Sequence, residues 1–135
     1  MRALLTAASF ALLALPGVAM AQDKPNPAGE AELAKMLEGR IAGAPVNCLS
    51  VNRMDNSTIV DGTAIVYRSG STLYVNRPRA GAERLDSDNI LLTKLSGSQL
   101  CSVDAVDLLD RSSRSWNGFV SLGQFVPYKL STASN

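Results

Sequence analysis

Apolar positions follow three rhythms along this chain, and each predicts a different kind of segment. Residues 3–15 are almost uninterruptedly apolar, with Arg2 before them and Pro16-Gly17 and the small-residue triplet Ala19-Met20-Ala21 after them. A charged end, an apolar centre and small residues three and one before a scissile bond are what an export peptidase reads. The pattern predicts a signal peptide over residues 1–21, cleaved after Ala21, and a product that is periplasmic or secreted. A bilayer span needs roughly 20 continuous apolar residues. The run here is shorter, and no cysteine beside the cut offers a lipid attachment site. No integral membrane segment is expected after cleavage.

The second rhythm is helical. Residues 22–27, polar and holding Pro25 and Pro27, read as a flexible lead-in. Asn26 is then placed to cap, Pro27 suits the first helical position, and Glu30 and Glu32 put negative charge where the helix dipole favours it. Leu33, Met36 and Leu37 share one face by three-and-four spacing, and Gly39 reads as a stop. One amphipathic helix is predicted over residues 28–38, with its apolar face packed on its own domain.

From Val46 onward the rhythm shortens to β-rich runs divided by turn residues. Val46–Val51 comes first. Thr58–Val60 and Thr63–Tyr67 flank Asp61-Gly62, a tight-hairpin signal because both central turn positions favour positive φ. Ser69-Gly70-Ser71 separates Thr63–Tyr67 from Thr72–Val75 in the same way. Ile90–Leu95, Leu100–Val103, Ala105–Leu109, Phe119–Leu122 and Gln124–Tyr128 follow, with the two central runs either separate or joined through a kink near Asp104. A bend is expected at Gly123. The fold class is therefore mainly β: a small antiparallel barrel or strongly twisted sheet of about six to seven short strands with one N-terminal α-helix. Residues 28–130 form a single disulfide-bonded β domain, and residues 131–135 a disordered tail.

Composition narrows the function classes. The chain has 13 Lys and Arg, 12 Asp and Glu and no histidine. Without Arg2 the exported part carries as many basic as acidic residues, so it lacks the excess of positive charge on which nucleic-acid binding rests. Cys48 and Cys101 are the only cysteines. In an oxidising compartment such a pair is a structural disulfide, here between the first β run and a late one, brought together where a barrel closes. A metal site would need further ligands from a chain without histidine, and redox pairs stand within one helical turn. No metal or cofactor is expected.

Catalytic constellations are sparse. The commonest general base is missing, and a Ser-Lys pair has only Lys24, Lys35, Lys94 and Lys129 to draw on. Asp86-Ser87-Asp88 opens like a calcium loop, but Ile90 stands where the next oxygen ligand belongs, so solvated turn carboxylates are the simpler account. Two segments suggest binding. Arg77, Arg79 and Arg84 crowd the loop 76–87, where guanidinium forks suit carboxylates or phosphates. Glu83, Asp86 and Asp88 stand beside them to neutralise them. Trp116 and Phe119, near Arg111 and Arg114, hold the residue types most enriched at interface hot spots. A lid on the core is the plainer role for a single Trp.

Cys48-Leu49-Ser50-Val51, Val60-Asp61-Gly62-Thr63, Leu73-Tyr74-Val75-Asn76-Arg77, Leu100-Cys101 with Asp104, and Leu122-Gly123-Gln124-Phe125-Val126-Pro127-Tyr128 together resemble a group of small exported proteins of Gram-negative bacteria classed as a domain of unknown function. The resemblance runs from about Arg40 to Tyr128 and implies an exported β domain, with no catalytic residue. Ser69-Gly70-Ser71-Thr72-Leu73-Tyr74 is also similar to the Ser-Gly-x-x-Tyr loop of periplasmic lysozyme inhibitors, small disulfide-bonded barrels, except that its tyrosine comes one residue late and so faces the other side of a strand. The expected function is non-enzymatic: an envelope protein that binds an unknown protein, glycan or small ligand through its loops. An enzyme reading would need Asp86 or Asp88 to face Asp104 or Asp107 across a groove, as in carboxylate-based hydrolases.

Overall fold

The computed structural model describes residues 26–132. The predicted signal peptide, most of the lead-in and the last three residues of the predicted tail lie outside them. Ten strands and one helix follow in the order α1 (Pro27–Met36), β1 (Arg40–Ala42), β2 (Cys48–Ser50), β3 (Asn56–Val60), β4 (Ala64–Ser69), β5 (Thr72–Asn76), β6 (Asn89–Thr93), β7 (Gln99–Cys101), β8 (Ala105–Asp110), β9 (Trp116–Ser121) and β10 (Phe125–Leu130). All pairing is antiparallel: a five-stranded sheet β1-β10-β5-β4-β3, a ribbon β2-β7 and a three-stranded sheet β6-β8-β9.

The five-stranded sheet is the central layer because its strands are apolar on both faces. In β4, Val66 points to one side with Val60, Leu73 and Val75, and α1 covers that side through Leu33. Ile65 and Tyr67 point to the other, where they join Phe125 of β10 and meet Leu49, Leu100, Val106, Leu108 and Val120 from the two smaller sheets. The rings of Tyr67 and Phe125 meet edge to face, 5.7 Å between centroids. The helix comes close because of Gly29: a Cβ there would stand 1.9 Å from Thr63 Oγ1. Across the sheet, Asn76 is wholly buried and stands in for a strand partner at Gly123, donating to its carbonyl at 2.7 Å and accepting from its N–H at 3.0 Å.

The mainly β class holds, but the barrel does not close. The last strand pairs with β1 and β5 instead of meeting the first β run, apart from a single bridge between Val46 and Phe125. β3 and β6, the free edges of their sheets, face each other across a seam. Gly62 N–H donates to the Leu85 carbonyl at 2.9 Å and Ser87 N–H to Asp61 Oδ1 at 2.6 Å, so the seam is held at that end. Beyond these bonds β3 and β6 are not paired with each other.

Local readings are adjusted in the same way. Asn26 occupies the cap position without a side-chain cap; its amide donates to the Asp61 carbonyl instead. Gly62 takes the positive φ of +59° expected of the hairpin, but Asp61 does not, because Thr63 is drawn into the turn and bonds back to Val60 and Asp61. The disulfide forms as expected, though not across a barrel closure: Cys48 and Cys101 are directly opposite within the ribbon. β7 and β8 are separate strands, turned apart at Asp104, whose carboxylate accepts Cys101 N–H at 2.7 Å.

Candidate functional site

The two arginine-rich candidates separate on folding. Arg77 leaves its loop to form a two-pronged ion pair with Glu30 on α1, at 2.5 and 2.9 Å. The pair lowers the Glu30 pKa and raises that of Arg77, mainly through these bonds. Arg79 turns back, its Nε–H donating to the Leu122 carbonyl at 2.7 Å. Both are structural ties between chain segments. Arg84 is different: its guanidinium stays exposed, 3.7 Å from Glu83, and lies over the backbone of β9.

Two glycines let that loop come close. Gly81, at φ +84°, would carry a Cβ 2.7 Å from the Phe119 carbonyl, and a Cβ on Gly118 would stand 3.0 Å from Arg84 Nη1. The turn at 82–84 and β9 therefore form a recess of about 270 Å³ walled by Glu83, Arg84, Trp116 and Phe119. Folding thus brings Trp116 and Arg84 to one place, and leaves Arg77 and Arg79 elsewhere.

A bulge gives this site its apolar character. Trp116 and Phe119 are three residues apart, and regular alternation would send them to opposite faces of a sheet. In β9 the pairing passes from Phe119 opposite Asp107 to Trp116 opposite Leu109, so Asn117 and Gly118 together face one residue of β8. Gly118 takes φ +106°, and the extra residue returns Trp116 to the outer face beside Phe119. Leu92 of β6 extends the same row, opposite Asp107. Trp116, Phe119 and Leu92 are 63%, 49% and 40% exposed. Trp116 is therefore not a lid on the core.

The polar groups among these side chains are fixed. Trp116 Nε1–H donates to Asp107 Oδ1 at 3.2 Å, and Lys94 Nζ stands 2.9 Å from Asp107 Oδ2. These bonds, Lys94 first and Trp116 second, hold the Asp107 carboxyl below the usual Asp range. At the hairpin end, Asp110 accepts from the backbone N–H and hydroxyl of both Ser112 and Ser113, which pulls its pKa down to about 2. Leu92 is a site residue that the sequence does not single out, and Lys94 and Asp107, weighed there only for catalysis, stand here as an ion pair beside the indole. Their alternation along β6 and β8 is visible in the sequence, but their meeting with Trp116 depends on strand pairing.

The remaining candidates take local roles. Asp86 accepts Asp88 N–H within its own turn, and Asp104 binds Cys101 N–H. Among the described residues, no group of three or more His, Cys, Asp and Glu side chains is placed to hold a metal ion. Tyr74, the tyrosine of the Ser-Gly loop, packs against the core beside the β2 ribbon. Among the described residues, no helix is long and apolar enough to cross a membrane. In comparisons with known proteins, no family model, curated protein or solved structure matches the chain.

Proposed function

We propose that this chain is an exported, non-enzymatic binding domain that holds a protein partner of the envelope against the outer face of the β6-β8-β9 sheet. The observation that carries the reading is the row Leu92, Phe119 and Trp116, large apolar side chains exposed together on one sheet face. Burying such side chains yields roughly 25 cal/mol per Å² of apolar surface, and an exposed apolar patch rimmed by polar groups marks interaction surfaces. Asp107 holds the indole in one orientation, so less side-chain freedom is lost on binding. Arg84, Glu83 and Lys94 supply a mixed-charge rim that fits a protein surface better than a uniformly anionic polymer. The leader pattern and the disulfide support an oxidising compartment outside the cytoplasm.

The test is site-specific photo-crosslinking in cells, with the crosslinker at Phe119 and, as a control, at Glu38 beyond the helix. A discrete adduct from position 119 that is absent from position 38 and lost in a Trp116→Ala background is expected. Equal adducts at both positions, or none at position 119, would overturn the reading.

A further inference from the structure

The unclosed seam between β3 and β6 is a second, chemically different site. On either side of Ser57 and Leu91, which face each other across it, the seam forms two adjoining recesses of about 270 and 380 Å³. The smaller lies at the end away from the Gly62–Leu85 bond. Met54, Leu91, Leu95 and Leu100 give it an apolar wall, and Asn56, Ser57 and Thr93 supply neutral polar groups. No charged side chain stands in its described wall.

Tyr67 forms part of the same wall. Its residue is 5% exposed, and its hydroxyl, out of contact with solvent, has no hydrogen-bond partner. Leaving such a group unpaired is costly, and native interiors rarely do so without a water, ligand or functional reason. Burial raises the phenol pKa, so the hydroxyl stays protonated and available as a donor. Each wall of the seam also ends in a strand with one unpaired edge, so the walls can part by a small displacement without breaking a sheet pairing.

We propose that this cleft binds a small, neutral, largely apolar molecule carrying one hydroxyl or carbonyl oxygen, which enters between Ser57 and Leu91 and accepts a hydrogen bond from Tyr67. A recess of this size encloses a single fused ring or a short chain, below the range of drug-sized pockets. Burying a carboxylate there would lack any compensating charge, so anions are excluded from the apolar part.

The experiment uses three probes of one shape, 1-naphthol, naphthalene and 1-naphthoate, titrated into the purified isotope-labelled protein and followed by amide chemical shifts. Saturable shifts centred on Ser57, Leu91 and Thr93 are expected with 1-naphthol, and at least tenfold weaker binding with 1-naphthoate. Tyr67→Phe should weaken 1-naphthol about tenfold while leaving naphthalene unchanged. Leu91→Arg, which puts a charged chain into the opening, should abolish binding of both; if it fails to fold, Thr93→Arg on the rim makes the same test. Shifts that never saturate, shifts centred on Trp116, equal binding of 1-naphthoate, or a Tyr67→Phe protein that keeps full affinity for 1-naphthol would each overturn the proposal.

Discussion

At the scale of single residues, two polar side chains do work that a composition count hides. Asn76 has no exposure, yet it meets both backbone groups of Gly123, where the chain leaves one sheet for another. Asn76→Ala strands a buried N–H and a buried carbonyl, so a loss of about 2–3 kcal/mol is expected in urea unfolding. A loss below ~1 kcal/mol would mean that water replaces the amide. Asp107 is a reporter as well as an anchor. Its pKa lies below the ordinary 3.8 through bonds from Lys94 and Trp116. Between the folded and ordinary values the unfolded chain binds more protons, so this contribution to stability is complete above the ordinary value and is lost as pH falls through the folded one. Trp116 is the chain's one tryptophan. Its emission should therefore change on acidification with a midpoint below 3.8, and Asp107→Asn should remove that transition. A midpoint at or above the ordinary value would show that the indole and carboxylate are not bonded in solution.

At the scale of elements, Gly118 turns a strand so that Trp116 and Phe119 share its outer face. A side chain there would have to adopt φ +106°, a region that is essentially reserved for glycine, at a cost of about 1–3 kcal/mol. Gly118→Val is expected to destabilise by that amount in urea unfolding and to alter the environment of Trp116. A neutral result would mean that β9 can pair without its bulge. This element also shows where reading from sequence stops. Helix, hairpins and strand runs were legible because alternation, Asp61-Gly62, Ser69-Gly70 and Pro27 act locally. The bulge was not, because nothing in Trp116-Asn117-Gly118-Phe119 says which residues of β8 lie opposite. β1 is not legible in the sequence, since Arg40–Ala42 is short and owes its strand form to pairing with Tyr128–Leu130. Arg77 and Arg79 read as binding groups or as partners of the adjacent Glu83, Asp86 and Asp88, because their actual partners, Glu30 and the Leu122 carbonyl, are 47 and 43 residues away. Arg84 and Trp116 were both legible as candidates; that they share one recess was not.

At the scale of the molecule, three sheets that do not close into one barrel must be kept together by something other than continuous strand pairing. The core between them does most of this, and the Cys48–Cys101 bond adds a covalent tie within the ribbon that caps one end of the seam. The bond closes a loop of 53 residues that contains β3, β4, β5 and β6, and with them both walls of the seam. In the chain-entropy model such a closure stabilises by about 4 kcal/mol, chiefly by restricting the unfolded chain. Natural domains are stable by only about 5–15 kcal/mol, so the bond supplies a large share of the stability of a fold with an open seam. Cys48→Ser/Cys101→Ser is therefore expected to lose about 4 kcal/mol in urea unfolding. Its denaturant slope should rise at the same time, because the uncrosslinked chain exposes more surface when it unfolds. A large loss with an unchanged slope would place the effect in the native ribbon, and a loss under ~1 kcal/mol would mean that core packing alone holds the three sheets together.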